Sequence, residues 1–282
     1  MTTLEGALPG ESTPEGVRAA RVVAWRGGQA VSRGDWLAEE TPVALVFNGI
    51  SHAVMLATPA DLEAFALGFA LTEGLVRDAS EVYGIEAEPT CDGIEVRLEV
   101  AAECEWRLKE RRRNLAGRTG CGLCGTESLD QVRRTLPSAL PPLAVPPQVP
   151  GRAQRLLRER QARQALTGAV HAAAWCDAEG HILQVCEDIG RHNALDKLAG
   201  AMSRAGIDPA QGWVLVTSRA SFEMVQKTAM IGAGLLVAVS APTTAAVDLA
   251  ERAGLALAGF ARGDDFVAYT YPERFGLMAE AG

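Results

Sequence analysis

From Arg191 to Tyr269 the chain repeats one pattern, a helical stretch followed by a short apolar run. The stretch 191–202 precedes the run 213–217, 222–231 precedes 235–239, and 244–253 precedes 255–260, with 266–269 as a last strand. Val214–Val216 and Leu236–Val239 are apolar at every position, which suits a strand covered on both faces and not one with a wet side. Strands that alternate with helices in this way predict an α/β unit with a three-layer αβα arrangement and a partly parallel sheet. Upstream, 153–164 reads as a helix. The strands 169–175 and 181–186 form a hairpin across Asp177-Ala178-Glu179-Gly180. A turn centred on Ala178-Glu179 would put His171 opposite Cys186 and Cys176 opposite His181, giving two separate Cys/His pairs and no four-ligand metal site.

The first half has a different rhythm. Residues 18–25 favour a strand. The runs 42–47 and 51–56 flank Asn48-Gly49, a pair suited to a tight hairpin turn. Thr58-Pro59-Ala60-Asp61 reads as a helix start, with Thr58 as the cap and Pro59 in the first turn; Leu62, Phe65, Ala66 and Phe69 carry the apolar stripe, and Gly74 ends it. Strands follow at 82–87 and 94–100. These elements predict a small α+β domain over 17–106 after a disordered start at 1–16. Six prolines between Leu136 and Gly151 exclude a helix or central strand there and suggest a semi-rigid connector. The expected division is therefore 17–106, a linking region 107–150, and the α/β domain 151–282.

The linking region carries Gly120-Cys121-Gly122-Leu123-Cys124-Gly125, directly after a basic stretch that includes Arg111, Arg112, Arg113 and Arg118. Neighbouring cations favour thiolate, the reactive form, and flanking glycines leave the sulfurs uncrowded. The segment reads as a mobile arm carrying nucleophilic sulfur. Half of a zinc site, a redox dithiol and an ordinary glycine turn remain open. A closed zinc site needs four ligands, and Cys91, Cys104, Cys176 and Cys186 are widely scattered and read as core or shielded thiols. Formal net charge is -8 at pH 7, so general binding to nucleic acid is not expected. The start of the chain lacks the pattern of a secretory signal, and no apolar stretch is long enough for a membrane span. A cytoplasmic protein is expected.

Three loops in the second domain follow apolar strands: Thr217-Ser218-Arg219-Ala220-Ser221, Ser240-Ala241-Pro242-Thr243-Thr244 and Phe260-Ala261-Arg262-Gly263-Asp264-Asp265. Ligands bind beyond the carboxyl ends of strands in open α/β sheets, where helix N-termini favour anions. Arg219 and Arg262 suit phosphate, and Asp264 and Asp265 suit the amino edge of a purine. Taken singly, Ser218, Ser221 and Thr243 read as helix caps, whereas the three loops together point to a nucleotide-like ligand. The segment Glu187–Lys197 is dense in polar groups, with His192/Asp196 and Asn193/Lys197 spaced as i,i+4 pairs on either a solvated or a functional helix face.

In order along the chain, Asn48-Gly49, Thr58-Pro59, Glu73-Gly74, Cys121-Gly122-Leu123-Cys124-Gly125, Thr167-Gly168, His171-Ala172-Ala173, Glu187-Asp188-Ile189-Gly190-Arg191-His192-Asn193-Ala194-Leu195-Asp196-Lys197, Ser218-Arg219-Ala220-Ser221-Phe222-Glu223-Met224 and Gly259-Phe260-Ala261-Arg262 resemble the formate dehydrogenase accessory sulfurtransferases, the FdhD family. The resemblance implies a cytoplasmic homodimer with a cytidine-deaminase-like second domain that lacks the zinc chemistry. The deaminase H-x-E glutamate is indeed missing at His171-Ala172-Ala173. It implies a sulfurtransferase that takes sulfur from a cysteine desulfurase and passes it to the molybdenum cofactor, bis-molybdopterin guanine dinucleotide, before insertion into formate dehydrogenase. Carried over by motif, Cys121 is the persulfide cysteine; in the mechanism that follows, Cys124 either assists or resolves the persulfide as a disulfide. The same carry-over makes Phe260, Ala261, Arg262, Gly263, Asp264 and Asp265 a cofactor-binding stretch, and the strand-end loops and the polar segment add Ser218, Arg219, Ser221 and His192 as candidate contacts. No permanently bound metal is expected. Some relatives have cysteine where this chain has Ala169, so sulfur relay through that position is excluded here. A cofactor-delivery chaperone and a zinc-binding regulator are the alternatives from other classes.

Overall fold

Three sheets organise the residues that the computed structural model describes, which are 13–104, 106–108, 136–137 and 139–277. Strands β1 (Val17–Arg26) and β2 (Gln29–Ala38) form an antiparallel ribbon. Strands β3 (Thr41–Phe47), β4 (Ile50–Ala57), β5 (Val82–Thr90) and β6 (Gly93–Val100) form a sheet in the order β4-β3-β6-β5. Only β3 and β6 in it run parallel. The third sheet holds β7 (His171–Asp177), β8 (Ile182–Asp188), β9 (Gly212–Val216), β10 (Leu235–Ala238), β11 (Ala256–Arg262) and β12 (Asp265–Thr270). Its order is β12-β11-β10-β9-β7-β8. The central β9, β10 and β11 are parallel, and the flanking strands are antiparallel.

The two faces of the third sheet explain its all-apolar strands. Val214, Val216, Leu236, Ala238 and Leu257 pack toward α4 (Arg191–Arg204), α5 (Phe222–Ile231) and α6 (Thr244–Ala253). Trp213, Leu215, Leu235, Val237 and Ala258 pack on the other side, with α2 (Val149–Glu159) and Phe275. Every residue of β9 and β10 is buried, and each such Val or Leu contributes roughly 1.5–3 kcal/mol. The four-stranded sheet covers one face only, with α1 (Leu62–Thr72), through Val43, Leu45, Phe47, Val96 and Leu98 against Phe65 and Phe69.

Helix α1 also packs across α4, which joins the two halves. A Cβ on Gly68 would lie 1.7 Å from the Asp196 carbonyl oxygen, and one on Gly200 would lie 1.9 Å from that of Ala64. The helices therefore touch backbone to backbone, a distance that glycine alone permits. Two buried ionic groups flank the seam. Lys197 pairs with Asp188 at 2.7 Å, both fully buried, and donates to the Thr58 carbonyl. Lys227 reaches Asp196 at 2.8 Å, Glu73 at 2.9 Å and Thr72 at 3.0 Å.

Several expectations are corrected by this packing. Thr58 is not a helix cap. It is fully buried, its N–H donates to Asp188, and its hydroxyl accepts from Ile189; the residue preceding α1 is Asp61, in the left-handed region. The i,i+4 pairs on α4 do not form, because tertiary partners win: Asp196 goes to Lys227, Lys197 to Asp188, and Asn193 to Asp188 and the Leu56 carbonyl. The expected helix 153–164 is two, α2 and α3 (Ala162–Thr167), broken at Arg160 and Gln161. The β7–β8 register places His171 opposite Asp188, Ala173 opposite Cys186 and Cys176 opposite Ile182, because a shift at Trp175/Cys176 moves the pairing; the two cross-strand Cys/His pairs do not exist. Cys91 is exposed, not shielded. The proline-rich stretch packs closely, with Leu140, Val145 and Val149 buried and the Val145 N–H bonded to Arg274. Strand β2 had no clear signal in the sequence. No helix among the described residues is long and apolar enough to cross a membrane.

Candidate functional site

The parallel strands β9, β10 and β11 deliver three loops to one edge of the sheet, and main-chain bonds tie those loops together. Ala220 bridges Pro242, the Thr243 N–H donates to the Ala220 carbonyl, and the Phe260 N–H donates to that of Ser240. The predicted loops thus meet in space, because parallel neighbours must end side by side. Phe260 has φ 55 and its ring is partly exposed. A left-handed aromatic residue is a strained choice, a feature that concentrates at functional sites.

Each predicted residue has a definite place at this edge. Ser218 is buried and its hydroxyl donates to the Arg219 carbonyl, while Arg219 is exposed. Ser221 caps α5 by position, but its buried hydroxyl has no hydrogen-bond partner. Thr243, by contrast, acts as a true cap, accepting from the Ala246 N–H. His192 lies in the first turn of α4, with Nε2 2.8 Å from Glu223 Oε2. The two atoms are within ion-pair distance but form no hydrogen bond, so Nε2 counts with Arg191 Nε and Ser221 Oγ as a buried polar atom without one. Three such atoms at the starts of α4 and α5 are unusual, since buried polar groups are normally satisfied. They suit a polar or anionic ligand.

Arg262 and Gly263 line a cleft of about 780 Å³, together with His171, Thr217, Arg158 and Gln161. Ala169 is on the same wall. Burial first, and then the charges of Arg191 and His192, hold the His171 imidazole below its ordinary pKa. Ala261 is buried. Asp264 is exposed and ion-paired to Arg155 at 2.5 Å, and Asp265 opens β12 opposite Arg262. Helix α2 approaches this turn closely, for a Cβ on Gly151 would lie 2.2 Å from the Gly263 carbonyl oxygen. Gln154, Arg158, Gln161 and Gln164 on the cleft wall had no signal in the strand-end argument. Gln154 on α2 and Gln161 at the break between α2 and α3 are both buried polar residues.

Cys121, Cys124 and the basic residues 111–118 lie outside the described residues. Arg107, which opens the basic stretch, is structural: it pairs with Glu81 at 2.5 Å and donates to the Leu75 carbonyl. The buried thiols are poor nucleophiles. Burial pushes Cys186 up to about 12 and Cys176 well above the ordinary thiol value. Burial, followed by a hydrogen bond to Glu81, raises Cys104. Among the described residues, Asp177, Glu179 and His181 form a cluster close enough to share a cation, but His181 is bonded to Asp177 and lies 2.8 Å from Arg152.

The FdhD/NarQ family matches residues 38–276. A Cupriavidus necator protein named sulfur carrier protein FdhD is 57% identical over 95% of this chain and 93% of its own length. A Variovorax paradoxus protein of the same name is 55% identical over 97% of each. The crystal structure of a candidate formate dehydrogenase accessory protein from Desulfotalea psychrophila superposes with a TM-score of 0.73, covering 92% of this chain and 99% of that one at 22% identity. At that identity the likeness speaks for the fold. Matched over more than four-fifths of its length, this chain belongs to the FdhD/NarQ family.

Proposed function

We propose that the chain is a sulfur carrier in formate dehydrogenase maturation. The observation that carries this reading is the near full-length identity, above half, with relatives that bear the sulfur carrier name. In the first step the Cys121 thiolate attacks the outer sulfur of a cysteine desulfurase persulfide; the new S–S bond forms on Cys121 as the desulfurase thiolate leaves. The molybdenum cofactor, bis-molybdopterin guanine dinucleotide, is the substrate that receives the sulfur. If Cys124 resolves the persulfide, its thiolate takes the inner sulfur, hydrosulfide leaves, and the two cysteines become a disulfide for a thiol reductant to open.

The loop edge supplies the grip. Arg262 and Gly263 in the cleft, Phe260 as an aromatic face, and Ser218, Arg219, Ser221 and His192 at the helix starts would hold the substrate's nucleotide ends. The fit rests on the three unsatisfied buried polar atoms and on the polar cleft. Asp265 would complete that turn, whereas the Asp264 carboxylate is engaged by Arg155. Fixing the substrate beside the carrier cysteine makes the transfer effectively unimolecular. We read the second domain as cytidine-deaminase-like, the protein as a homodimer, and the compartment as the cytoplasm, where thiols stay reduced.

Mass spectrometry after incubation with a desulfurase and cysteine tests the first step. Wild type gains one labile sulfur on the peptide containing Cys121. Cys121→Ala that gains the same sulfur would reject Cys121 as the carrier. A Cys121→Ala, Cys124→Ala variant that still supports formate dehydrogenase activity would favour cofactor delivery without sulfur transfer.

A further inference from the structure

One wall of the cleft is a single stretch of chain, 161–171, which brings Gln161, Gln164, Ala169 and His171 to the opening. That stretch has little to hold it in shape from within. Helix α3 has six residues, well short of the roughly 12 that a helix needs to persist by itself in water. Gln161, which precedes it, makes no side-chain cap. The first N–H groups of a helix have no partner inside it, so another group must accept them.

Glu187 accepts them from the edge strand β8. It is the last residue but one of that strand and is 3% exposed. Its Oε2 takes the N–H of Arg163 and its Oε1 the N–H of Gln164, each at 2.9 Å. Hydrogen bonds to a charged acceptor are the strong ones, and one carboxylate here makes two of them. The order then passes down the wall. Gln164 Oε1 accepts the Val170 N–H at 3.0 Å, and Thr167 Oγ1 accepts that of Ala169 at 3.2 Å, so the turn into His171 is set by the helix that Glu187 holds. Asp188, next along the strand, does the same work at the start of α4, where it accepts from Gly190 and Asn193. Glu187 is not among the described residues that line the cleft. Its reach is through the wall.

We propose that Glu187 is a positioning residue for the cleft: its carboxylate stands in for the missing cap of α3 and sets Gln161, Gln164 and His171 where they grip the nucleotide. This rests on the reading of the cleft as a nucleotide site. A ligand that needs the formed wall binds more weakly in proportion to the fraction of molecules that lack it. Glu187→Gln keeps the size of the side chain, removes the charge, and turns an amide donor toward one of the two helix N–H groups. Helix α3 then frays at its start.

Titration calorimetry with GDP on the full chain tests this, together with hydrogen exchange over 161–171 and sulfur uptake on Cys121. Wild type is expected to bind GDP and to exchange more slowly at Arg163 and Gln164 when it does. Glu187→Gln should bind GDP about tenfold or more weakly. Its 161–171 amides should exchange faster without GDP and slow again at saturating GDP, with sulfur uptake at the wild-type level. Glu187→Asp, charged but one methylene shorter, should fall between the two. A Glu187→Gln variant that binds GDP as tightly as wild type, or exchanges over 161–171 as wild type does, would overturn the proposal and leave the nucleotide reading standing. Fast exchange spread over the whole chain would also overturn it, because the carboxylate would then serve the fold and not the wall. A wild type that binds no GDP would overturn both.

Discussion

Lys197→Met isolates the buried Asp188–Lys197 pair with little change in volume. Both side chains are fully buried at 2.7 Å, and Lys197 also satisfies the Thr58 carbonyl at 2.9 Å. Without the lysine, Asp188 keeps hydrogen bonds from the N–H groups of Thr58 and Gly190 and from the Asn193 amide, but its charge is uncompensated. Removing one partner of a buried pair costs about 3–5 kcal/mol. The three remaining donors offset part of that, so about 3 kcal/mol is expected, a fall in Tm of roughly 6–10 °C for a chain of this size. Calorimetry at pH 7 measures it. Lys197→Met with Asp188→Asn should recover part of the loss, because the stranded charge and not the missing attraction is the main cost. A single variant whose Tm falls by less than about 2 °C would refute the argument, showing that Asp188 takes up a proton or water without penalty.

Two further expectations come from the same seam and edge. Gly68→Ala puts a methyl group 1.7 Å from the Asp196 carbonyl oxygen, so α1 must move off α4; a loss of about 3 kcal/mol or more by urea unfolding is expected, and wild-type stability would mean that the helices do not touch there. His171 is held below its ordinary pKa in the fold, so the unfolded chain binds the proton more readily. Stability from this residue is therefore full above about pH 6.5 and declines as pH falls through and below that value. His171→Gln should flatten that part of the stability–pH curve. An unchanged slope would show that His171 is not the group responsible.

The period of the apolar residues carried most of the fold. Runs such as Val214–Val216 have no wet face to offer, so helices on both sides follow from them, and Asn48-Gly49, with φ 45 and 76, turns as its residue types require. The candidate edge was also legible, because parallel strands that end together bring Ser218, Ser240 and Phe260 together. Local rules failed where distant groups competed for the same atoms. Thr58 has the spacing of a cap, but its hydroxyl, the capping atom, accepts instead from the Ile189 N–H, 131 residues away. His192, Asn193, Asp196 and Lys197 look like a solvated helix face and are instead half-buried or buried, since α1 lies across them at glycine distance. The sequence by itself determined most of the strands and helices, strand β2 and the break at Arg160 and Gln161 excepted, and which residue types crowd the sheet's edge. Only the tertiary structure decided which charge neutralises which, because in a low-dielectric interior a charge is stable only beside its partner, and that partner is chosen by packing between elements far apart in the chain.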